Sequence, residues 1–548
     1  MKNRDSARSA LFLLLISAFF ACAGVVFIRY PGLQNDELFF APPIFVPRTA
    51  FYSLHAFGAQ IPLMVMSYTG ALKTWIYAGV FSLWDPSRWS VRIPVLVACL
   101  AAIWLTWIWA RMVAGRRVAV ASVALLGTDS IFLLTGVLDW GPVALQHLLM
   151  LSGLVTVTCF ATSGSRRALG LGFFLWGLGM WDKALMIWLL LGFAVAVICI
   201  YPHELKRRLS LRTAVIALGA FFIGAAPLVW FNIDRHGETA TANTAFSTDN
   251  HVMKLKVVAF SLDGSSLFSY LVDANTSAPQ RPPRGIVERA AFTIHRALGT
   301  HKHNWFLPAF ALAVVGLPFL RRSRFFRPMV FLLIATVVAW LQMFLTHNAG
   351  AGAHHVVLLW PMPMLIVSMA IVAAAEAFPR YGTAIFVSMV SLLVVGNLLN
   401  ENEYLTHFAV HGGIGGWTDA IYPLSSSLDD ATWVGTVDWG YTNGLRVLHK
   451  GRLNLFNTAD YLPRPQAKSP GIEDLKEMVG SPGLLFIQHT ESKQLIPHVN
   501  DALRARAQEL GYTEHVEERI ADSSGDPVFE IFCFERQRGA GQPVPAPR

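Results

Sequence analysis

The chain has 548 residues, 54% of them hydrophobic and only 14% charged. Soluble domains carry about 25% charged residues, so this composition excludes an ordinary soluble enzyme and implies a polytopic membrane protein. The formal net charge of +9 does not mark a nucleic-acid binder. Its Lys and Arg residues fall in short runs between apolar segments, as the positive-inside rule requires.

Lys2, Arg4 and Arg8 precede an apolar run from Leu11 to Ile28. Ala21-Cys22-Ala23 imitates a signal-peptidase site. The run is long enough to span, however, and longer than a usual signal core, so an uncleaved first helix is expected. Runs of about 20 apolar residues place further spans at 92–112, 117–136, 142–161, 168–181, 184–201, 213–231, 305–320, 327–346, 355–375 and 382–399. With 10–28 they make about eleven transmembrane helices.

The N-terminus, Arg116-Arg117, Arg166-Arg167, Lys206-Arg207-Arg208, Arg321 to Arg327 and Arg380 all fall on one side of that arrangement. The opposing short turns hold Asp139, Asp182-Lys183 and 347–354, with almost no arginine. The N-terminus is therefore expected in the cytoplasm.

Three larger pieces then lie outside the cytoplasm. Residues 29–91 are aromatic and broken by proline, and short helices along the membrane surface are expected there. Within 232–304, Ile286-Val287, Ala290-Ala291, Ile294 and Ala297-Leu298 recur at helical spacing, which predicts an interfacial amphipathic helix. Its arginines and those before it (Arg281, Arg284, Arg289, Arg296) could meet a lipid phosphate or simply stud its surface. In the tail, strand-like runs (432–438, 484–489, 527–534) alternate with helical ones (472–479, 493–510). They predict a small α/β domain over 400–538, after a transmembrane domain over 1–399. Residues 539–548 read as a disordered end. Four of the five cysteines lie in apolar segments and none forms a CxxC, so neither a cysteine metal site nor a disulfide framework is expected.

The candidate chemistry sits at the edges of these spans. Asp36-Glu37 follows the first helix. Ionised groups are costly near hydrocarbon, so the pair is either a polar turn or a base that accepts a proton from an attacking hydroxyl. Lys73 could hold a phosphate as a point charge or snorkel to the interface. Asp139, in Leu138-Asp139-Trp140-Gly141-Pro142, could act in the same cleft or cap the next helix. Asp182-Lys183 could be an internal ion pair, or Lys183 could join Lys73 on one phosphate. His354-His355 open the tenth span and can donate hydrogen bonds. Adjacent histidines point differently on a helix, so joint ligation of a metal would need His347, His301 or His303 as well. No cofactor is expected, with a divalent metal the one alternative left open.

Taken in order, these elements resemble the GT-C glycosyltransferases, most closely the branch of protein O-mannosyltransferases and bacterial aminoarabinose transferases acting on lipid A. The resemblance rests on Asp-Glu after the first helix, a Tyr-x-Gly-x-Leu-Lys element (Tyr68 to Lys73) and Pro-Ser-x-Trp-Ser-x-Arg (Pro86 to Arg92). The basic turn Gly115-Arg116-Arg117, Leu-Asp-x-Gly-Pro around Asp139, and Lys183 complete it. It is strong over 10–200 and weak over 200–400. It implies transfer of a sugar, with inversion, from a polyprenyl-phosphate donor to a lipid, polysaccharide or protein acceptor. Transfer would take place at the periplasmic face of a bacterial inner membrane, with the C-terminal domain periplasmic. It further implies Asp36 as catalytic base, with Glu37 and Asp139 in the active site. Lys73 and Lys183 would lie on the donor phosphate. Tyr68, His354 and His355 are expected to contact substrate on their own chemistry, since the His354-His355 pair is not a universal feature of the family. A transporter or lipid flippase would also explain the spans and carboxylates, but no internal repeat is visible. A membrane scaffold would leave the acid and lysine series unexplained.

Overall fold

The computed structural model describes residues 2–56, 58–247, 249–275, 281–347, 349–460, 462, 472–481 and 483–536. They form two compact units: Met1–Arg29 with Val46–Ala409, and Tyr30–Phe45 with Val410–Arg548. The expected boundary at 399/400 falls inside the helix Gly382–His411. The expected disordered end, 539–548, lies outside the described residues.

The first unit is mainly helical, and each expected span holds a helix. In hydrocarbon the backbone must satisfy its own hydrogen bonds, and a helix does this within one segment. Among the described residues, five helices are long and apolar enough to cross a membrane: Ala7–Ile28, Arg88–Val113, Val143–Ser163, Phe326–Leu345 and Gly382–His411. Four bent pairs bring the number to nine. Eleven would need Arg166–Asp182, of 17 residues, and Phe306–Val315, of 10. The protein is a multi-pass membrane protein.

The breaks have local causes. The helix Arg116–Leu126 bends by 63° into Ser130–Leu138, where the Asp129 carboxylate accepts from Phe132 N–H at 2.7 Å and restarts the helix. A proline in the first turn restarts Ala226–Asp234 in the same way. The helix Arg88–Val113 begins with a reciprocal Ser87–Ser90 capping box.

The first loop holds short helices, as expected, at Pro42–Phe45 and Pro47–Thr49. It also holds an antiparallel sheet that was not expected, made of β1 (Tyr52–Ala56), β2 (Ala59–Met66) and β3 (Thr69–Gly70). The β1–β2 connection turns at Gly58, whose φ of +74° suits glycine. Pro62 lies inside β2 and masks the strand in the sequence. A helix, Leu72–Leu83, does follow.

The amphipathic helix forms at Ile286–Leu298. Its inner face carries Glu288, Ala291, Phe292 and His295. Arg281 is not free for a lipid phosphate: it bonds Glu288 at 2.8 Å and the Ala409 carbonyl.

The second unit is an α/β domain around a five-stranded sheet. Its strands are β4 (Trp433–Thr436), β5 (Asn454–Asn457), β6 (Leu485–His489), β7 (Tyr512–Ala521) and β8 (Pro527–Arg536), in the order β5-β4-β6-β8-β7. β4 runs parallel to β5 and β6, and β8 runs antiparallel to β6 and β7. β5 and β7 were not expected from the sequence. Alternate residues feed two cores: Val434, Ile487 and Ile531 pack on one face, Phe486 and Phe532 on the other.

Candidate active site

In the first unit, Lys73 and Asp139 form a buried ion pair. Lys73 Nζ lies 2.6 Å from Asp139 Oδ2, with the side chains 6% and 1% exposed. Lys73 stands in the first turn of Leu72–Leu83. Asp139 ends the helix Ser130–Leu138 in a left-handed conformation, φ 38°. Its other oxygen accepts from Ala144 N–H at 2.9 Å, so the acid both caps the next helix and holds the lysine. A buried pair of this kind survives only when its remaining lone pairs are also satisfied.

β3 brings the second lysine in. Thr69 forms an antiparallel bridge with Lys183, and Ala184 N–H donates to the Tyr68 carbonyl at 2.9 Å. The approach is close enough that a Cβ on Gly70 would stand 2.0 Å from the Trp181 carbonyl oxygen. This explains why glycine stands in the Tyr-x-Gly-x-Leu-Lys element. Lys183 Nζ lies 2.9 Å from where Gly141 would carry a Cβ, so its ammonium reaches the Asp139-Trp140-Gly141 turn. Asp182, fully buried, accepts from Gln146 Nε2 at 2.9 Å.

Trp140 ties the histidines to this turn. Its indole N–H donates to His354 Nδ1 at 2.8 Å. Gly350 N–H donates to His355 Nδ1 at 3.2 Å. A ring nitrogen that accepts carries no proton, so each imidazole is neutral with its N–H at Nε2. The two rings lie 4.1 Å apart. Tyr68 and His355 line a pocket of about 110 Å³, with Trp188, Asn243, Thr346 and His347. His301 and His303 are engaged elsewhere: His303 bonds Asp263, and His301 bonds the Leu298 carbonyl. No cluster of three or more His, Cys, Asp or Glu suited to a metal occurs among the described residues.

Lys73, Asp139, Lys183, Tyr68, His354 and His355 thus belong to one unit. Asp36 and Glu37 belong to the other. Gln34 Oε1 accepts from Asp36 N–H at 2.6 Å and from Glu37 N–H at 3.1 Å. Glu37 Oε2 accepts from Gln34 N–H at 3.4 Å. Glu37 is buried, whereas Asp36 is partly exposed. Sequence reasoning missed Gln146, the partner of Asp182, and the part Trp140 plays in orienting His354. Trp140 stood within the quoted Leu-Asp-x-Gly-Pro element, but at its unspecified position.

A family model for dolichyl-phosphate-mannose-protein mannosyltransferases matches residues 70–231. A search of curated protein sequences finds no match. Among solved structures, ArnT from Cupriavidus metallidurans bound to undecaprenyl phosphate is similar at a TM-score of 0.59 and 13% identity, covering 96% of this chain and 98% of that one. Its apo state gives 0.55 and 12%, with the same coverage. The oligosaccharyltransferase of Archaeoglobus fulgidus gives 0.48 and 12%, covering 93% and 69%. The chain has the fold of the GT-C glycosyltransferases and, over residues 70–231, is similar to their protein mannosyltransferase branch.

Proposed function

We propose that the protein transfers a sugar from a polyprenyl-phosphate donor to a hydroxyl acceptor at the extracytoplasmic face of a bacterial inner membrane. The observation that carries this reading is the gathering of two lysines, Lys73 and Lys183, on the Asp139-Trp140-Gly141 turn. The bound undecaprenyl phosphate of the similar ArnT supports the donor class. Lysines neutralise the phosphate and make it a good leaving group. The acceptor oxygen attacks the anomeric carbon from the far face and forms the new C–O bond. The bond from that carbon to phosphate oxygen breaks, and its electrons leave with the polyprenyl phosphate. Asp36 takes the hydroxyl proton. Glu37 stands beside it, Asp139 orients Lys73, and the Nε2–H groups of His354 and His355, with Tyr68, contact substrate. Attack opposite the leaving group inverts the anomeric centre. The acceptor is an envelope lipid, polysaccharide or protein, and no cofactor takes part.

The test compares envelope glycans and lipid-linked sugars by mass spectrometry in strains with wild-type, Asp36→Asn or no protein, at matched membrane levels. The transferase reading expects Asp36→Asn to match the deletion, with one glycan losing a sugar and a sugar-phosphate lipid accumulating. Wild-type behaviour of Asp36→Asn would remove Asp36 as the base. A transporter is the second reading. It draws on Asp129 Oδ2 and Glu401 Oε1, buried acid oxygens without a hydrogen-bond partner among the described residues. It expects an untransferred substrate to accumulate on one side of the membrane instead.

A further inference from the structure

The loop that carries Asp36 is built into the C-terminal domain. Gly32 N–H donates to the Trp417 carbonyl at 2.7 Å, and Asn35 N–H to the Gly440 carbonyl at 3.1 Å. Asn443 then clasps Asn35 with two bonds, donating both. Asn443 N–H donates to the Asn35 side-chain oxygen at 3.1 Å, and the Asn443 side-chain amide donates to the Asn35 carbonyl at 3.2 Å. Both residues are buried, at 7% and 6% exposure. The packing leaves no slack. A Cβ on Gly32 would stand 1.9 Å from the Thr418 carbonyl oxygen, and one on Gly444 3.0 Å from that of Leu33.

The domain's own frame continues this grip. Asp438, two residues before Gly440, accepts from His489 Nδ1 at 2.7 Å and from the N–H groups of Leu495 and Ile496. The turn that presents Gly440 and Asn443 is therefore pinned to β6 and to the start of the helix Pro497–Glu509. On the other side of Asn35, Gln34 binds the N–H groups of Asp36 and Glu37. The backbone carrying the Asp36 side chain is thus held from both directions.

We infer that Asn443 is a positioning residue for Asp36, so that the C-terminal domain, residues 410–536, sets the aim of the catalytic base. The inference rests on the transferase reading above. Misplacing a reacting group by about 1 Å costs about 100-fold in rate, whereas the lysines proposed to hold the donor phosphate belong to the other compact unit. Loosening the clasp should therefore lower turnover and spare donor affinity.

The experiment uses the full-length protein with two independent changes. Asn443→Asp keeps the size and the N–H bond but sets a carboxylate against the Asn35 carbonyl. Gly444→Ala presses on Leu33 without touching the clasp. Asn454→Ala, an exposed amide elsewhere in the domain that bonds the Thr432 carbonyl, is the control. Product glycan is measured in the complemented deletion strain, and affinity for undecaprenyl phosphate on purified protein. Expected are product losses approaching 100-fold for Asn443→Asp and smaller ones for Gly444→Ala. Phosphate-lipid affinity should stay within twofold and Asn454→Ala should behave as wild type. Unchanged product in both variants overturns the inference. So does product loss with a parallel loss of phosphate-lipid affinity, which would mark the domain as general support. Asp36→Asn, run alongside, separates the two levels. If it is active, the base assignment fails. If it is inactive while Asn443→Asp and Gly444→Ala are active, only the positioning inference fails.

Discussion

The Trp140 indole N–H and His354 Nδ1 meet at 2.8 Å across 214 residues of sequence. This bond leaves the His354 proton on Nε2, where it can donate to a substrate oxygen. Trp140→Phe keeps the ring but removes the donor. One neutral hydrogen bond is worth about 1 kcal/mol, so turnover should fall about fivefold, with product formation at saturating donor as the measurement. A wild-type rate would show that the His354 tautomer does not matter.

The Lys73–Asp139 pair separates stability from binding. Lys73→Met strands a buried carboxylate and should destabilise the protein by about 3–5 kcal/mol, read as a lower thermal transition. Removing both charges, as Lys73→Met with Asp139→Leu, should restore most of that stability, because apolar replacements of buried pairs are often neutral. The double variant should still bind undecaprenyl phosphate poorly. Lys73→Met with Lys183→Met should lose that affinity too, and unchanged binding there would rule out the phosphate role.

Gly70 faces a backbone oxygen. With the Trp181 carbonyl 2.0 Å from the added Cβ, Gly70→Ala must push β3 away from the Asp182-Lys183 turn. A destabilisation of about 1–3 kcal/mol is expected from overpacking, with loss of phosphate-lipid affinity as Lys183 shifts. A variant of normal stability and affinity would show that this contact can relax.

Acid should weaken the C-terminal domain through Asp438. Burial pushes its carboxyl up, but the bonds from His489 Nδ1 and from the Leu495 and Trp439 N–H groups outweigh burial and hold it below the usual carboxylate range. A depressed folded value stabilises the domain above the unfolded carboxylate value of about 3.9. That contribution is lost as pH falls below it. Unfolding followed from pH 7 to pH 3 should show an acid-side loss that is smaller in Asp438→Asn, whose baseline stability is lower throughout. An identical acid slope in both proteins would assign the loss to other groups.

Much of this molecule was legible in its sequence, because hydrocarbon permits little else. Long apolar runs such as Leu11–Ile28 and 382–399 must close their hydrogen bonds locally, so composition alone dictates helix. The 3.6-residue spacing of Ile286–Leu298 and the alternation in 527–534 likewise report each residue's immediate neighbours. The order of Asp36-Glu37, Lys73, Asp139 and Lys183 along the chain was enough to suggest a family resemblance. Tertiary structure decided the partners. Nothing local to Lys73 selects Asp139, 66 residues away, over Asp182, which takes Gln146 instead. Nothing local to Asn35 names Asn443, 408 residues on. β1–β3 escaped notice because Pro62 and irregular alternation hide a strand until neighbours supply its hydrogen bonds. Periodicity records what a residue needs from its surroundings, whereas which distant group meets that need is chosen by packing the whole chain at once.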